Sequence, residues 1–247
     1  MTSFFPWERI RTGQGNISKP GVDVYHSLSS SDYVTIRFFQ WASAIFMKEK
    51  LTGYDAIIFD MDGTLIDSMP THLEAWRLTS EKYGFPFDRE WHHSLGGMST
   101  ERTAERVNQR YNLSLDSAAV AQSKRLQWEA IYDGPVLIDE TYGVFVECEG
   151  NKKLAVGTGA IRDHAEDLLA GVGLLDRLDA LVTVTDVENG KPHPDTFLQA
   201  ASLVGVNPGR CLVFEDTELG RHKTGVKNRG QVFLLKNRGQ VFLLDAT

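Results

Sequence analysis

The chain is poor in several features that would each indicate a particular class of protein. It has two cysteines among 247 residues, too few for a disulfide framework, and no apolar run near the ~20 residues that span a bilayer. Its first residues, MTSFFPWERIRTGQG, lack the basic-then-apolar order of a signal peptide. We therefore expect a cytoplasmic protein with no membrane partner, in which Cys148 and Cys211 are buried free thiols.

Positive charge is also in short supply. Lys and Arg total 26 against 33 Asp and Glu, which gives a net charge of −7. Nucleic-acid binding needs a basic surface to meet the phosphate backbone, so we expect no nucleic-acid partner. A small phosphorylated metabolite needs only a local positive site and is compatible with this composition.

The N-terminal part of the chain, residues 1–53, is interpreted as an extension of unknown order. Polar and turn-forming residues dominate it up to Asp32, and the aromatic-rich segment VTIRFFQWASAIFM follows. A loosely packed segment is favoured there over a partner- or membrane-surface element. The stretch MKEKLTGYDAIIFDMDGTL, which starts at Met47, has the pattern of an ordinary beginning, so we expect the functional fold to start near that residue.

Alternating strand and helix patterns predict an α/β architecture. AIIF at 56–59 has the continuous apolar character of a buried parallel strand. Further strand patterns, KLAVGTG, ALVTV and CLVFED, alternate with the helical stretches RDHAEDLLAGVG and PDTFLQAASLVG. This alternation predicts a Rossmann-like three-layer α/β/α core with a parallel sheet, formed by residues 54–68 and 136–247.

Between the first two strands the periodicity is helical instead. The stretches THLEAWRLTSEKYG, STERTAERVNQRYN and SLDSAAVAQSKRLQWEAIY predict successive helices, and we expect them to form an inserted α-helical cap domain over residues 69–135. The tail repeats KNRGQVFLL at 227–235 and 236–244, and each copy predicts a strand, QVFLL, with KNRG as a turn. Two copies are too few for a solenoid.

The stretch IIFDMDGTLIDS places Asp60 and Asp62 at the end of the first strand, the edge at which α/β folds bind ligands. Side chains alternate along an extended backbone, so the two carboxylates are expected to point to the same side. Their repulsion is relieved by a hard cation such as Mg²⁺ or by a proton. Such a pair can also provide a nucleophile and an acid/base, while Gly63 permits a sharp turn beside an anion.

FDMDGTLIDS resembles motif I of the haloacid dehalogenase-like phosphohydrolases, and the later motifs of that family follow in order. LAVGTGA supplies Thr158 with Gly159, GKPHPDTF supplies Lys191, and CLVFEDTELG supplies Glu215 and Asp216. The resemblance covers about residues 54–220. The departures are GRHKTGVKNRG after the last motif, where the family has small packing residues, and PVLIDETYGVFVECEGNKK, which is not a regular amphipathic helix.

The resemblance implies a mechanism. Asp60 attacks phosphorus and becomes an aspartyl-phosphate, while Asp62 protonates the leaving oxygen and then activates water. Lys191 and Thr158 neutralise and orient the phosphoryl oxygens. The Mg²⁺ ligands implied are the Asp60 carboxylate, the Asp62 backbone carbonyl and Asp216, with Glu215 close by. The substrate-binding residues expected from these loops are Gly63, Thr64 and Gly159.

The cap supplies further candidates for substrate binding. His72 lies one turn into the first cap helix, the loop LGGMSTER carries Ser99, Thr100 and Arg102, and Lys124 matches a second cationic position. The motifs together resemble fructose-1-phosphatase-like enzymes and β-phosphoglucomutases. The mutases carry an Arg where this chain has Thr100, which favours a phosphatase acting on a sugar phosphate. A β-phosphoglucomutase-like transfer, or an inactive scaffold that keeps the fold, are the alternatives.

Overall fold

The structure is a computed structural model that describes residues 51–217, 232–236 and 240–243. The expectations for residues 1–50, for a start near Met47 and for the segment GRHKTGVKNRG lie outside these ranges. The strands are β1 Ala56–Phe59, β2 Lys153–Gly157, β3 Ala180–Val182, β4 Cys211–Glu215, β5 Val232–Lys236 and β6 Gln240–Leu243. The helices are α1 Met69–Tyr83, α2 Arg89–Ser94, α3 Thr100–Tyr111, α4 Ser117–Ile131, α5 Asp139–Cys148, α6 Arg162–Gly171 and α7 Asp195–Leu203.

The strands form one sheet in the order β3-β2-β1-β4-β5-β6. All neighbours from β3 to β5 are parallel, and β6 is antiparallel to β5. β1 lies between β2 and β4, and all four of its residues are buried, which explains its uninterrupted apolar sequence. The described parts of the two QVFLL copies, residues 232–235 and 240–243, thus lie in two paired strands, as the repeat predicts.

Helices cover both faces of the sheet. On one face, Ala56 and Ile58 of β1 belong to an apolar cluster with Phe197, Ala200 and Ala201 of α7. On the other face, Phe59 stacks on Phe214 of β4 and packs against Phe145 of α5. These contacts confirm the three-layer α/β/α core, with α5 formed by the segment that departs from a regular amphipathic pattern.

The segment between β1 and α5 folds into α1–α4 with an apolar cluster of its own, and so confirms the helical cap. Trp76 of α1 meets Ala104 and Val107 of α3 and Val120 of α4 in that cluster. The three predicted cap helices are present, and the short α2, which Asp88 caps at Trp91 N, was not predicted. No helix in the described ranges is long and apolar enough to cross a membrane.

Candidate active site

The central strands bring four of the predicted motifs to one edge of the sheet. Asp60 follows β1, Thr158 follows β2, and Glu215 ends β4 with Asp216 next in the chain. Since β2 and β4 flank β1 in parallel, their carboxyl ends lie side by side. Lys191 reaches the same edge from the loop between β3 and α7.

Lys191 is the cation at the centre of this edge. Its Nζ lies 2.5 Å from Asp60 Oδ1 and 3.0 Å from Glu215 Oε2, and all three side chains are buried. Burial lowers the pKa of Lys191, but the charges of Asp60 and Glu215 outweigh it and raise that pKa above its usual value. Glu215 also accepts from the backbone N and the hydroxyl of Thr217, so both of its oxygens have partners.

The carboxylates of Asp60, Glu215 and Asp216 fit a divalent cation. Each offers an oxygen within 4.8 Å of the others. Asp60 Oδ2 is buried without a hydrogen-bond partner in the described residues, which is costly unless something else binds it. Burial, then the charge of Glu215, raises the pKa of Asp60 to about 8, and the pKa of Asp216 is raised by the same kind of effect. A hard dication would offset this repulsion and take such oxygens as ligands.

Asp62 lies apart from that cluster. Its Oδ1 accepts from Ser68 Oγ at 2.6 Å and lies 3.2 Å from His72 Nε2. The expectation that the Asp60 and Asp62 carboxylates point to the same side stays a prediction, because β1 ends at Phe59 and strand alternation does not extend to them. The charge of Asp62 is nevertheless one of the causes that raise the pKa of Asp60. Burial raises the pKa of Asp62, while the charge of His72 and the two hydrogen bonds outweigh it and hold that pKa below its usual range.

Gly63 allows the chain to turn after β1. Its φ is +80°, and a Cβ placed there would lie 2.4 Å from Asp216 Oδ2. The next residue, Thr64, points its hydroxyl towards Asp216 Oδ1 at 3.4 Å. The glycine therefore lets the loop after β1 pass directly against the candidate metal ligand from β4.

His72 and Lys124 extend the contacts of Asp62 into the cap. Lys124 Nζ of α4 lies 2.5 Å from His72 Nδ1 of α1. When Lys124 is an ammonium it can only donate, so Nδ1 then accepts and the Nε2–H of the same ring donates to Asp62. Burial lowers the pKa of His72 and lowers the pKa of Lys124 to about 7. The structure thus brings both predicted cap residues to the site.

Thr158 and Gly159 form the turn after β2. Thr158 is buried; its backbone N donates to Val182 O and its Oγ1 accepts from Ala160 N at 3.1 Å. The Thr158 backbone N–H is therefore occupied by the sheet, and it is the hydroxyl that can serve an anion. A Cβ on Gly159 would lie 2.0 Å from Gly97 O, which shows how closely the cap loop approaches the core.

The loop LGGMSTER covers Lys191. A Cβ on Gly97 would lie 3.3 Å from Lys191 Cδ, and Ser99 caps α3 by accepting from Arg102 N. Ser99 and Thr100 line the large cavity between cap and core. Arg102 is not among the described residues that line this cavity, so the structure does not bring it to the site with the other two.

The cavity has a volume of about 780 Å³ and extends from Asp62 to α4 and α6. Five residues at the site or in the cavity were not predicted from the sequence: Ser68, Thr217, Trp128, Tyr132 and His164. Trp128 follows Lys124 by four residues on α4, so it shares that helix face, and the periodicity could have identified it. Tyr132 directly follows the last residue of α4 in an extended conformation. Nothing in the local sequence marks His164, which reaches the cavity because α6 starts at the same sheet edge.

Comparisons with known proteins agree with this geometry. A model of the haloacid dehalogenase-like hydrolase family matches residues 54–220. The chain belongs to this family. It is 39% identical over 172 residues to the fructose-1-phosphate phosphatase YqaB of Escherichia coli, covering 68% of this chain and 89% of that protein.

Two further similarities cover the same part of the chain. The β-phosphoglucomutase of Bacillus subtilis is 28% identical over 173 residues, which are 67% of this chain and 76% of that protein. The crystal structure of a hydrolase from Pseudomonas syringae superposes with a TM-score of 0.61 at 25% identity, covering 67% of this chain and 77% of the other. Both similarities agree with the family assignment.

Proposed function

We propose that this phosphoric monoester hydrolase cleaves a small sugar phosphate with Mg²⁺ and with Asp60 as its nucleophile. The observation that carries the proposal is the environment of Asp60. One of its oxygens is paired with Lys191, and the other, beside Asp216, is buried with no hydrogen-bond partner among the described residues. A carboxylate in that position is oriented, dehydrated and close to cationic compensation. The similarity to a fructose-1-phosphate phosphatase supports the substrate class.

In the first step, an Asp60 oxygen forms a bond to phosphorus while the bond from phosphorus to the leaving oxygen breaks. Asp62 gives that oxygen a proton, which releases the alcohol and leaves an aspartyl-phosphate. In the second step, water attacks phosphorus and passes a proton to Asp62, and Asp60 returns as a carboxylate. The low pKa of Asp62 keeps it ionised in the free enzyme, and the arriving phosphate anion favours the protonated form that the first step needs.

Mg²⁺ would be held by Asp60, Asp216 and the backbone carbonyl of Asp62, with Glu215 behind them. When bound, it neutralises negative charge on the phosphoryl oxygens. Lys191, from the loop before α7, and the Thr158 hydroxyl, after β2, would contribute further, and Gly63, Thr64 and Gly159 would line the turns around the phosphoryl group. We assign residues 54–68 and 136–247 to the core and 69–135 to the cap. The two free thiols, both buried, support a cytoplasmic location.

A β-phosphoglucomutase-like reaction is the second candidate, supported by the similarity to a mutase and by the buried Lys124 in the cap. A mutase must bind a second phosphate in the cap, which needs cations. Here the start of α3 presents Thr100 and the acidic Glu101 to the cavity instead. This favours hydrolysis over transfer. An inactive scaffold is the third candidate, and the complete set of four motifs weighs against it.

Phosphate release from a panel of sugar phosphates, with and without Mg²⁺, tests the proposal. The panel includes fructose 1-phosphate and β-glucose 1-phosphate, with a coupled assay for glucose 6-phosphate. Metal-dependent release of free phosphate would support the phosphatase. Glucose 6-phosphate without free phosphate would establish the mutase, and no turnover of any substrate by folded protein would favour the scaffold.

A further inference from the structure

We propose that Thr217 is a positioning residue with two separate roles, one for its hydroxyl and one for its methyl group. The hydroxyl fixes the Glu215 carboxylate so that one of its oxygens faces Lys191, and the methyl supports the cap loop LGGMSTER at Gly96. The inference rests on the proposed function, because Lys191 pairs with the proposed nucleophile. Thr217 directly follows the candidate metal ligand Asp216 in the chain and is only 4% exposed.

Thr217 donates two hydrogen bonds to the same oxygen of Glu215. Its Oγ1 lies 2.8 Å from Glu215 Oε1, and its backbone N lies 3.1 Å from the same atom. The other oxygen, Oε2, accepts from Lys191 Nζ at 3.0 Å. Because two donors hold Oε1, the carboxylate cannot rotate to offer both of its oxygens to the lysine without losing these charge-assisted hydrogen bonds.

The orientation of Glu215 matters because the ammonium of Lys191 contacts two carboxylates. The same Nζ lies 2.5 Å from Asp60 Oδ1, and all three side chains are buried. A Glu215 carboxylate released from Thr217 would approach Lys191 with both oxygens and draw its Nζ away from Asp60. Thr217 therefore acts on the proposed nucleophile through two intervening side chains, which makes it a positioning residue rather than a catalytic one.

The methyl group of Thr217 faces the cap loop. A Cβ placed on Gly96 would lie 2.8 Å from Thr217 Cγ2. A Cβ placed on Gly97 would lie 3.8 Å from Thr217 Oγ1 and 3.3 Å from Lys191 Cδ. The backbone of the loop thus crosses Thr217 and Lys191 at two successive glycines. Loss of the threonine methyl would leave a gap under the loop, and the packing of Gly96 would be lost with it.

A threonine joins the two roles because its hydroxyl and its methyl are bonded to the same carbon. Its χ1 torsion is stiff, and the hydrogen bond from Oγ1 to Glu215 selects one rotamer. The same rotamer directs Cγ2 towards Gly96, so rotation about χ1 would break both contacts together. A serine keeps only the polar contact and a valine keeps only the apolar one. Two single variants therefore separate the roles.

Thr217→Val removes the hydroxyl and keeps a methyl group. With saturating Mg²⁺, we expect kcat to fall about tenfold for acetyl phosphate and for the best sugar phosphate of the panel alike, the effect of one hydrogen bond to a charged group. KM should change little for either substrate. Exchange of the backbone amide hydrogens in residues 95–102, measured without substrate, should stay at the wild-type rate because the methyl still supports Gly96.

Thr217→Ser keeps the hydroxyl and removes the methyl group. It should retain at least about half of the wild-type kcat for acetyl phosphate, because the hydrogen bond that orients Glu215 is restored. Residues of the cap loop line the cavity, so a less firmly packed loop should raise KM for the sugar phosphate on the order of fourfold, the effect of one buried methyl group. Amide exchange in residues 95–102 should become faster.

Thr79→Val and Thr79→Ser are the matched controls. Thr79 is also a buried threonine, and its Oγ1 donates to Ala75 O at 2.7 Å, but it is not among the described residues that line the cavity. Both variants should keep wild-type kinetics and wild-type exchange in the cap loop. Thermal unfolding shows whether each variant is folded. If Thr217→Val is not, Thr217→Ala takes its place, because it differs from Thr217→Ser by the hydroxyl alone.

Two outcomes would overturn the inference while leaving the proposed function standing. The first is the same change in kcat, KM and amide exchange for Thr217→Val and Thr217→Ser, and the second is wild-type behaviour of both variants. If wild-type protein hydrolyses no phosphate ester, the proposed function fails, and the role of the hydroxyl in positioning the nucleophile fails with it. Amide exchange then decides the methyl contact: faster exchange in Thr217→Ser alone supports it, and equal exchange in all variants overturns it.

Discussion

Lys191 and Asp60, 131 positions apart in the chain, form a buried ion pair with Nζ and Oδ1 2.5 Å from each other. The pair joins the loop before α7 to the end of β1, and Glu215 shares the same ammonium. One lysine thus compensates the carboxylate cluster and is also directly paired with the proposed nucleophile.

Removal of this lysine should therefore be costly for stability as well as for activity. We expect Lys191→Met to lower the free energy of unfolding by about 3–5 kcal/mol in the absence of metal, because it leaves buried carboxylates uncompensated. The double variant Asp60→Asn with Lys191→Met should lose less than the sum of the two single variants. Urea unfolding in the presence of a chelator measures this cycle.

Lys153→Met is the control for that cycle. Lys153 is also paired with an aspartate, Asp179, at 2.7 Å, but its side chain is 53% exposed. Its loss should change the free energy of unfolding by about 1 kcal/mol or less. Equal effects of Lys191→Met and Lys153→Met would show that burial of the Lys191 pair has no energetic consequence.

Asp62→Asn should separate the two chemical steps. An asparagine cannot accept the proton of the attacking water, so breakdown of the aspartyl-phosphate should slow by about 10²–10⁴-fold. Acetyl phosphate has a good leaving group and needs little protonation, so the first step should continue. Rapid-quench kinetics should show a burst close to one phosphoryl group per enzyme, followed by slow turnover. A uniform slowing without a burst would contradict the role of Asp62 in the second step.

Lys124→Met should change the pH dependence of stability. Burial lowers the pKa of Lys124 to about 7 in the folded protein, against 10.5 as its ordinary value. The unfolded chain therefore binds more protons between these values, and stability rises with pH across that window. The cost of the buried charge is greatest below pH ~7, the folded-state pKa of this amine. The melting temperature of Lys124→Met should exceed that of wild type by more at pH 6 than at pH 10, and the reverse order would contradict the burial argument.

Gly159→Ala should impair the approach of the cap loop. The new Cβ would lie 2.0 Å from Gly97 O, so loop and core must separate. Since a displacement of about 1 Å can cost about 10²-fold in rate, kcat/KM for the sugar phosphate should fall at least about tenfold. Gly143→Ala, on α5 with open space around it, should leave kinetics unchanged and add about 0.5–1 kcal/mol of stability. Wild-type kinetics in Gly159→Ala would show that the contact is not needed.

The core and its motifs were predictable because each depends on a local pattern. β1 and the helices of the cap follow from apolar periodicity, and Asp60, Thr158, Lys191 and Asp216 follow from strand ends and motif order. The hydrogen bonds of Asp62 to Ser68 and His72 were not predictable, because they depend on where β1 stops and on how the chain turns into α1. His164 was missed because its role comes from the docking of α6 against α4, which no local pattern encodes.

Packing also determines what Glu215 does, because this residue belongs to the acidic cluster and also contacts Lys191 and Thr217. The sequence indicates an acidic pair at the end of β4, but it does not show that Lys191 and Thr217 already take both oxygens of Glu215. That occupation follows from packing across the sheet edge. Asp216 and Asp60 Oδ2, which has no hydrogen-bond partner among the described residues, are therefore the more available metal ligands of the acidic cluster.

The most direct test of the central claim is to look for the phosphoryl group on Asp60. The reaction of the protein with acetyl phosphate and Mg²⁺ is quenched in acid during turnover. The protein is then digested, and the peptide masses are measured by mass spectrometry. We expect one phosphoryl group on the peptide that contains Asp60. It should be absent without metal and absent in Asp60→Asn, and that variant should also be inactive. Turnover by Asp60→Asn at the wild-type rate, or a phosphoryl group on a different residue, would contradict this expectation.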